Sequence, residues 1–172
     1  MTPEPSERPD FAALYDENFA KVYNYVRCRL LDAAAADDVT SRVFERALDR
    51  LDGFDPSRGP AAAWLIGIAS NAVADHYRER RWLSWLPFES LLAAPGRDPR
   101  AEDELAQGES RAELLGALGR LDERERELLA LKYEAGMKNT EIAVRLGLSD
   151  GNVGVILYRA VKKLQAMLEE AP

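Results

Sequence analysis

Among its 172 residues the chain has one cysteine, Cys28, and one histidine, His76. A single thiol forms no intrachain disulfide, and this inventory is too small for a structural zinc site, whose ligands are mostly cysteine and histidine. A reducing, cytoplasmic compartment is therefore the expected setting. No apolar run approaches the roughly 20 residues that span a bilayer as a helix, so no membrane span is expected. The opening M-T-P-E-P-S-E-R-P-D has neither the basic start nor the apolar stretch of a secretory signal. Residues 1–10 are expected to form a disordered tail. Strand-like alternation of any length is missing, and so is an internal repeat. Charge is abundant, but 23 bases against 30 acids leave a net of -7. That balance excludes a uniformly basic nucleic-acid coat while leaving local basic surfaces possible.

The segments up to Arg81 read as helix. From Phe11 to Leu31, Leu14, Val22, Tyr25, Val26, Leu30 and Leu31 recur near a 3.6-residue period. Asp37 and Asp38 are expected to open a second helix with Val39, Val43, Phe44, Ala47 and Leu51 on one stripe, since acids in a first turn suit the helix dipole. F-D-P-S-R-G-P, from Phe54 to Pro60, interrupts the pattern with two prolines and a glycine. A third helix follows, apolar around Trp64 to Ala69 and basic from Arg78 to Arg81.

From Trp82 to Arg111 the composition shifts to proline, glycine and acid, with six acids against three arginines, a local charge of -3. The chain thus divides into a helical domain at 11–85, a linker at 86–111 and a second helical domain at 112–170. The expected class is all-α, with two small helical domains joined by a flexible acidic linker.

The second domain holds a recognisable pair of helices. Asp122 is a plausible cap for the helix before them. Thr140 is expected to cap a short helix carrying Ile142, Ala143 and Leu146. Gly147 stands where the chain turns sharply, Leu148 plugs the corner, and Ser149 caps the next helix. This is a helix-turn-helix pattern, although any αα-corner shares part of it. On a helical wheel Val153, Leu157, Ala160, Val161, Leu164 and Leu168 form a buried stripe. The opposite face carries Gly151, Asn152, Val155, Arg159, Lys162 and Lys163, with Tyr158 at its margin. Asparagine reads adenine edges, arginine reads guanine edges or phosphates, and valine meets thymine methyls. Lys138 to Lys163 contain five bases and two acids, so this segment is locally +3 within an anionic chain.

Taken together, these residues resemble the extracytoplasmic-function (ECF) group of bacterial sigma-70-type RNA polymerase sigma factors, from about Phe11 to Leu168. A-D-D-V-T-S-R-V-F-E-R-A-L at 36–48 is similar to the helix that docks on the core polymerase clamp, which implies polymerase contacts at Asp37, Asp38, Arg42 and Phe44. The stretch 54–81 is similar to the loop and helix that bind the promoter −10 element. It offers Ser57, Arg58, Trp64, Asn71, Tyr77, Arg78 and Arg81, because catching unstacked bases needs stacking platforms with a positive rim. Trp64 also reads as a core residue, and the arginines also read as a helix end that favours cations. The segment 120–149 with the following helix is similar to the −35-reading domain, with Ser149, Gly151, Asn152, Val155, Tyr158, Arg159, Lys162 and Lys163 toward DNA.

The resemblance implies core RNA polymerase and promoter DNA as partners, an anti-sigma factor as a further one, and no cofactor, metal or catalytic residue. The chain departs from the group's habits at Ser41-Arg42, where a Gln-Glu pair is common. It also departs at Ala61, usually aromatic, and at Gly154 and Ile156, frequently basic. Phosphorylation of Thr40 or Ser41 would restore negative charge beside Arg42. Two other readings stay open. A helical enzyme would be built on Asp37, Asp38, Asp75 and His76, without metal-ligand spacing. A stand-alone helix-turn-helix regulator would leave the basic third helix and the 54–60 loop unused.

Overall fold

The computed structural model describes residues 10–83 and 105–170. The tail expected at 1–10 lies outside the described residues except for Asp10, and so does the linker from 86 to 104. Every regular element among the described residues is helical, and none of those helices is long and apolar enough to cross a membrane.

The first half is a bundle of three helices. Helix α1 (Phe11–Leu30) starts where the Asp10 carboxylate accepts the Ala12 N–H at 3.1 Å. It ends at Leu31, a non-glycine residue at φ 62. Helix α2 (Ala33–Asp49) begins four residues earlier than the expected start at Asp37. Asp32 caps it by accepting the Ala35 N–H at 2.7 Å, and the alanines that follow are strong helix formers. Asp37 and Asp38 thus sit exposed in the second turn. Helix α3 (Ala61–Leu83) follows two short 3-10 turns at 51–53 and 56–58. Val22, Tyr25 and Val26 of α1, Val39 and Val43 of α2, and Leu65 and Val73 of α3 are sealed from water between the helices. Burial of each such side chain stabilises by about 1.5–3 kcal/mol, which outweighs the weak propensity of single helices.

The second half contains α4 (Leu105–Gly119), α5 (Glu123–Leu129), α6 (Asn139–Leu146) and α7 (Asp150–Glu169). Helix α4 therefore starts inside the stretch read as linker. Asp122 and Glu125 form a reciprocal cap: the Glu125 N–H donates to Asp122 at 2.8 Å, and the Asp122 N–H donates to Glu125 at 3.2 Å. A wide turn of π type at Ala130–Glu134 extends α5 and leads to Gly136 at φ 70. The expected cap at Thr140 moves to Lys138, because the Glu141 carboxylate reaches back to the Lys138 N–H at 2.6 Å. Helix α7 lies across α4, α5 and α6. Val153, Leu157 and Ala160 of its expected stripe are buried and Val161 and Leu164 half-buried, but Leu168 is exposed. In the last turn of α7 it is Met167, not Leu168, that packs against the core.

The halves touch. The carboxyl end of α1 packs on α5 and on the π turn, so the buried apolar residues form one continuous cluster.

Candidate nucleic-acid interface

The corner between α6 and α7 is built from local rules. Gly147 takes φ 64, a left-handed value that costs a side-chain-bearing residue, and the Leu148 N–H closes on the Ala143 carbonyl at 2.9 Å. Ala143 is buried at the crossing, and Leu148 is half-buried against the core. Ser149 Oγ then accepts the Asn152 N–H at 3.3 Å, which starts α7.

This corner turns one face of α7 outward. Gly151, Asn152, Arg159 and Lys162 are exposed, together with Val155 at 46% and Tyr158 at 66%. No acid occurs between Asp150 and Glu169 on this helix. Lys163 departs from that face. Its ammonium pairs with Glu125 on α5, whose other oxygen serves the Asp122 cap. Gly154 is also turned aside: a Cβ there would stand 3.9 Å from the Asn139 side chain on α6. That is ordinary contact, so Gly154 lies toward α6 without packing requiring a glycine there, while Gly151 faces open space. Ile156 is half-buried against the core, so a basic residue at 154 or 156 would not extend the outward face.

A second candidate surface lies on the first half. Phe54 and Trp64 bring their ring centroids to 4.9 Å, and with Gly53, Asp55, Arg58, Gly59, Pro60 and Ala63 they wall a recess of about 390 Å³. The Asp55 carboxylate accepts both the Ser57 hydroxyl at 2.7 Å and the Ser57 N–H at 2.9 Å. Those two hydrogen bonds hold it below the ordinary carboxylate range, so it stays an ionised acceptor at the rim. Gly59 at φ 148 supplies a backbone shape that other residues avoid. A recess with two aromatic walls, tilted 39° to one another, and a guanidinium and a carboxylate at its mouth suits one unstacked base. Phe54 joins the site only through its packing on Trp64, ten residues away. The sequence showed the loop but not which of its side chains would form a wall.

Along α3, Asn71, Arg78 and Arg81 are exposed, while Tyr77 is half-buried with its hydroxyl donating to the Arg29 carbonyl at 2.6 Å. Tyr77 is thereby turned toward α1 rather than offered outward. Arg78 pairs with Asp75, which also takes Arg46 of α2 at 3.0 Å. The Arg46 and then the Arg78 hydrogen bonds hold the Asp75 carboxyl below its usual range. One helical turn on, Arg42 meets Glu79 at 3.2 Å. Arg42, expected toward polymerase, is thus engaged within the bundle's surface. Phe44 is also inside, 4.6 Å from the Tyr15 ring, and with Phe11, Phe19 and Leu48 it lines a shallow apolar groove. Of the phosphorylation candidates Ser41 is exposed, but Thr40 is 2% exposed with its hydroxyl sealed in the bundle. A kinase cannot reach Thr40 in this fold. Arg50 and Arg145, which sequence reasoning left out, line a cleft with Asn71 and Trp64. They are 95 residues apart in sequence, and no local signal joins them.

Both halves of the chain match known protein families. Residues 14–83 match the family described as Sigma-70 region 2, and residues 111–164 match Sigma-70, region 4. The chain is 33% identical over 167 residues to the ECF RNA polymerase sigma factor BldN of Streptomyces coelicolor, covering 97% of this chain and 63% of BldN. It is 30% identical over 158 residues to the ECF RNA polymerase sigma factor SigL of Mycobacterium tuberculosis, covering 92% of this chain and 88% of SigL. Among solved structures, CnrH in complex with the cytosolic domain of CnrY superposes with a TM-score of 0.64 at 28% identity, covering 94% of this chain and 89% of that one. With α2 and α3 inside the region 2 match and the α6–α7 corner inside the region 4 match, the chain belongs to the ECF RNA polymerase sigma factors.

Proposed function

We propose that the chain directs core RNA polymerase to promoters, with α7 reading the −35 element and the Phe54–Trp64 recess and α3 taking the −10 element. The observation that carries this reading is the outward face of α7. It presents an amide, a guanidinium, an ammonium and a small apolar group with no acid for eighteen residues. Such a face matches the donor, acceptor and methyl pattern of a major groove flanked by phosphates. Asn152 and Val155 are assigned to base edges, and Arg159 and Lys162 to a base or the backbone. Lys163 is assigned a phosphate contact from the shoulder of the helix, in exchange with Glu125.

On the first half, the recess receives one base flipped from the opening strand, and Arg58, Arg78 and Arg81 neutralise the adjacent backbone. Tyr77 acts here as a strut for α3. Asp37 and Asp38 form the acidic part of the polymerase dock on α2, next to the apolar groove lined by Phe44. The chain performs no bond-making step of its own: binding energy spent on the unstacked strand drives opening, and polymerase supplies the chemistry. The cytoplasm, where polymerase works, is the assigned compartment. The solved complex of CnrH with CnrY supports an anti-sigma factor as a further partner.

Run-off transcription with purified core polymerase on genomic fragments, read by sequencing the 5′ ends, tests the assignment. Transcripts that require the chain and share two boxes upstream of their starts are expected. Absence of any chain-dependent start, with no co-purification of core polymerase, would return the protein to the stand-alone regulator.

A further inference from the structure

Glu125 is the one buried acid among the described residues. Its place in the α5 cap does not require a charge, because a cap needs only an acceptor and a glutamine serves as well. Of its two oxygens, Oε2 accepts the Asp122 N–H at 3.2 Å and Oε1 meets the Lys163 ammonium of α7. The Glu125 N–H, donating to Asp122 at 2.8 Å, fixes the same turn from the other side. The carboxylate is thus anchored at 9% exposure, whereas Lys163, on its long flexible stem, is 52% exposed. The acid is the fixed partner and the ammonium the moving one.

This pairing separates Lys163 from its neighbours. Arg159 and Lys162 stand exposed on a helix with no acid between Asp150 and Glu169, so their charges are open to an outside polyanion. The acid that engages Lys163 comes from a different helix. To meet a phosphate, Lys163 must leave Glu125, and that strands an ionised carboxylate where little water reaches it. Where the crossing does occur, the abandoned carboxylate takes up a counterion as the DNA gives one off. The exchange therefore adds little affinity and little salt dependence.

We propose that Glu125 is a positioning residue for DNA binding: it holds the Lys163 ammonium in the place of a phosphate and so withholds from α7 the net gain of one backbone contact. The proposal deepens the assignment of α7 to the −35 element, on which it rests. The base-edge contacts assigned to Asn152 and Val155 are independent of it. What Glu125 sets is the sequence-independent part of the grip, since phosphate contacts orient a protein on the duplex without reading it.

Glu125→Gln removes the charge, keeps the size and leaves an amide oxygen for the Asp122 N–H. Lys163→Met keeps the aliphatic stem and removes the ammonium. Thermal melts followed by circular dichroism verify that the parent, both single variants and the double variant are folded. Anisotropy then measures holoenzyme binding to a −35 duplex and to a scrambled duplex across a salt series. Glu125→Gln is expected to bind both duplexes severalfold tighter at low salt, with a salt slope steeper than the parent's by about 0.9, the increment of one phosphate contact. Lys163→Met is expected to keep the parent's slope, and the double variant to match Lys163→Met. An unchanged slope in Glu125→Gln would overturn the proposal. So would a gain that survives in the double variant, because it would come from general loss of negative charge. Tightening on the −35 duplex alone would overturn it too, and would make Glu125 a determinant of the angle of α7. Should Glu125→Gln not fold, Lys163→Met alone decides: a slope shallower by about 0.9 would show that the parent lysine already holds a phosphate. Elution of the same four free chains from heparin in a salt gradient tests the restraint apart from the promoter reading. Glu125→Gln is expected last, and the double variant together with Lys163→Met. Equal binding of the two duplexes by the parent would count against the assignment of α7, and the heparin order would still support or overturn the restraint.

Discussion

The Tyr77 hydroxyl donates a 2.6 Å hydrogen bond to the main-chain carbonyl of Arg29, which joins the basic end of α3 to the last turn of α1. That carbonyl belongs to the last turn of a helix, where no intrahelical donor reaches it. Tyr77→Phe removes the donor and leaves the acceptor half-buried. A loss of about 1 kcal/mol in urea unfolding is expected. Single-stranded DNA affinity in the holoenzyme is expected to stay within twofold, since the ring remains; a large loss would place the hydroxyl on DNA instead.

Arg159 and Lys162 lie on the open face of α7, whereas Lys163 is tied to Glu125. Arg159→Ala and Lys162→Ala are each expected to weaken −35 duplex binding by the holoenzyme, by roughly 1–3 kcal/mol for a base-reading arginine. A phosphate-contacting lysine should instead lower the salt slope by about one unit. Fluorescence anisotropy across a salt series separates the two roles. Lys163→Ala should affect affinity least and thermal stability most of the three.

Gly147 adopts φ 64 with nothing within 4 Å of its missing side chain, so backbone strain alone governs substitution there. Gly147→Ala is expected to cost about 1 kcal/mol and Gly147→Val more, because a β-branched residue is poorest in the left-handed region. Differential scanning calorimetry gives the stability. Anisotropy on the −35 duplex should show a matching loss, because the corner sets the angle of α7.

Two groups on α3 make stability depend on pH. The His76 imidazole is held below its usual 6.5 by burial and then by the charge of Arg80, and its Nε2 is buried without a hydrogen-bond partner. Its folded form prefers to be neutral, so its contribution is complete above 6.5 and is lost as pH falls below that value. Asp75 is held below its usual 3.8 by Arg46 and Arg78, so its contribution is complete above that value and is lost on further acidification. In urea titrations between pH 7.5 and 3, His76→Gln should flatten the upper part of the decline and Asp75→Asn only the lowest part. A decline that neither variant alters would assign it to other groups.

The helices and their ends were largely legible in the residue order, because caps, apolar periods and a glycine turn act within a few residues. Asp122, Gly147 and Ser149 occupy the roles their chemistry suggests. The errors were local competitions. Asp32 capped α2 ahead of Asp37, and Glu141 reached back to Lys138 and displaced Thr140 from the cap. The outward face of α7 was visible on a wheel, but a wheel cannot tell that Lys163 has Glu125 within reach, 38 residues earlier. Nor does it tell that Gly154 faces α6.

By itself, then, the order of residues determined an all-helical chain, a helix-turn-helix corner and two basic regions in an anionic whole, since each follows from neighbours within about two turns. Only tertiary structure decided that Arg29 would be clasped by Glu127, that Tyr77 would face α1, and that Thr40 would be sealed. The physical reason is that a buried charge, an orphan carbonyl and a hidden hydroxyl are defined by what surrounds them. Those surroundings come from segments far along the chain, which meet only after the helices have packed.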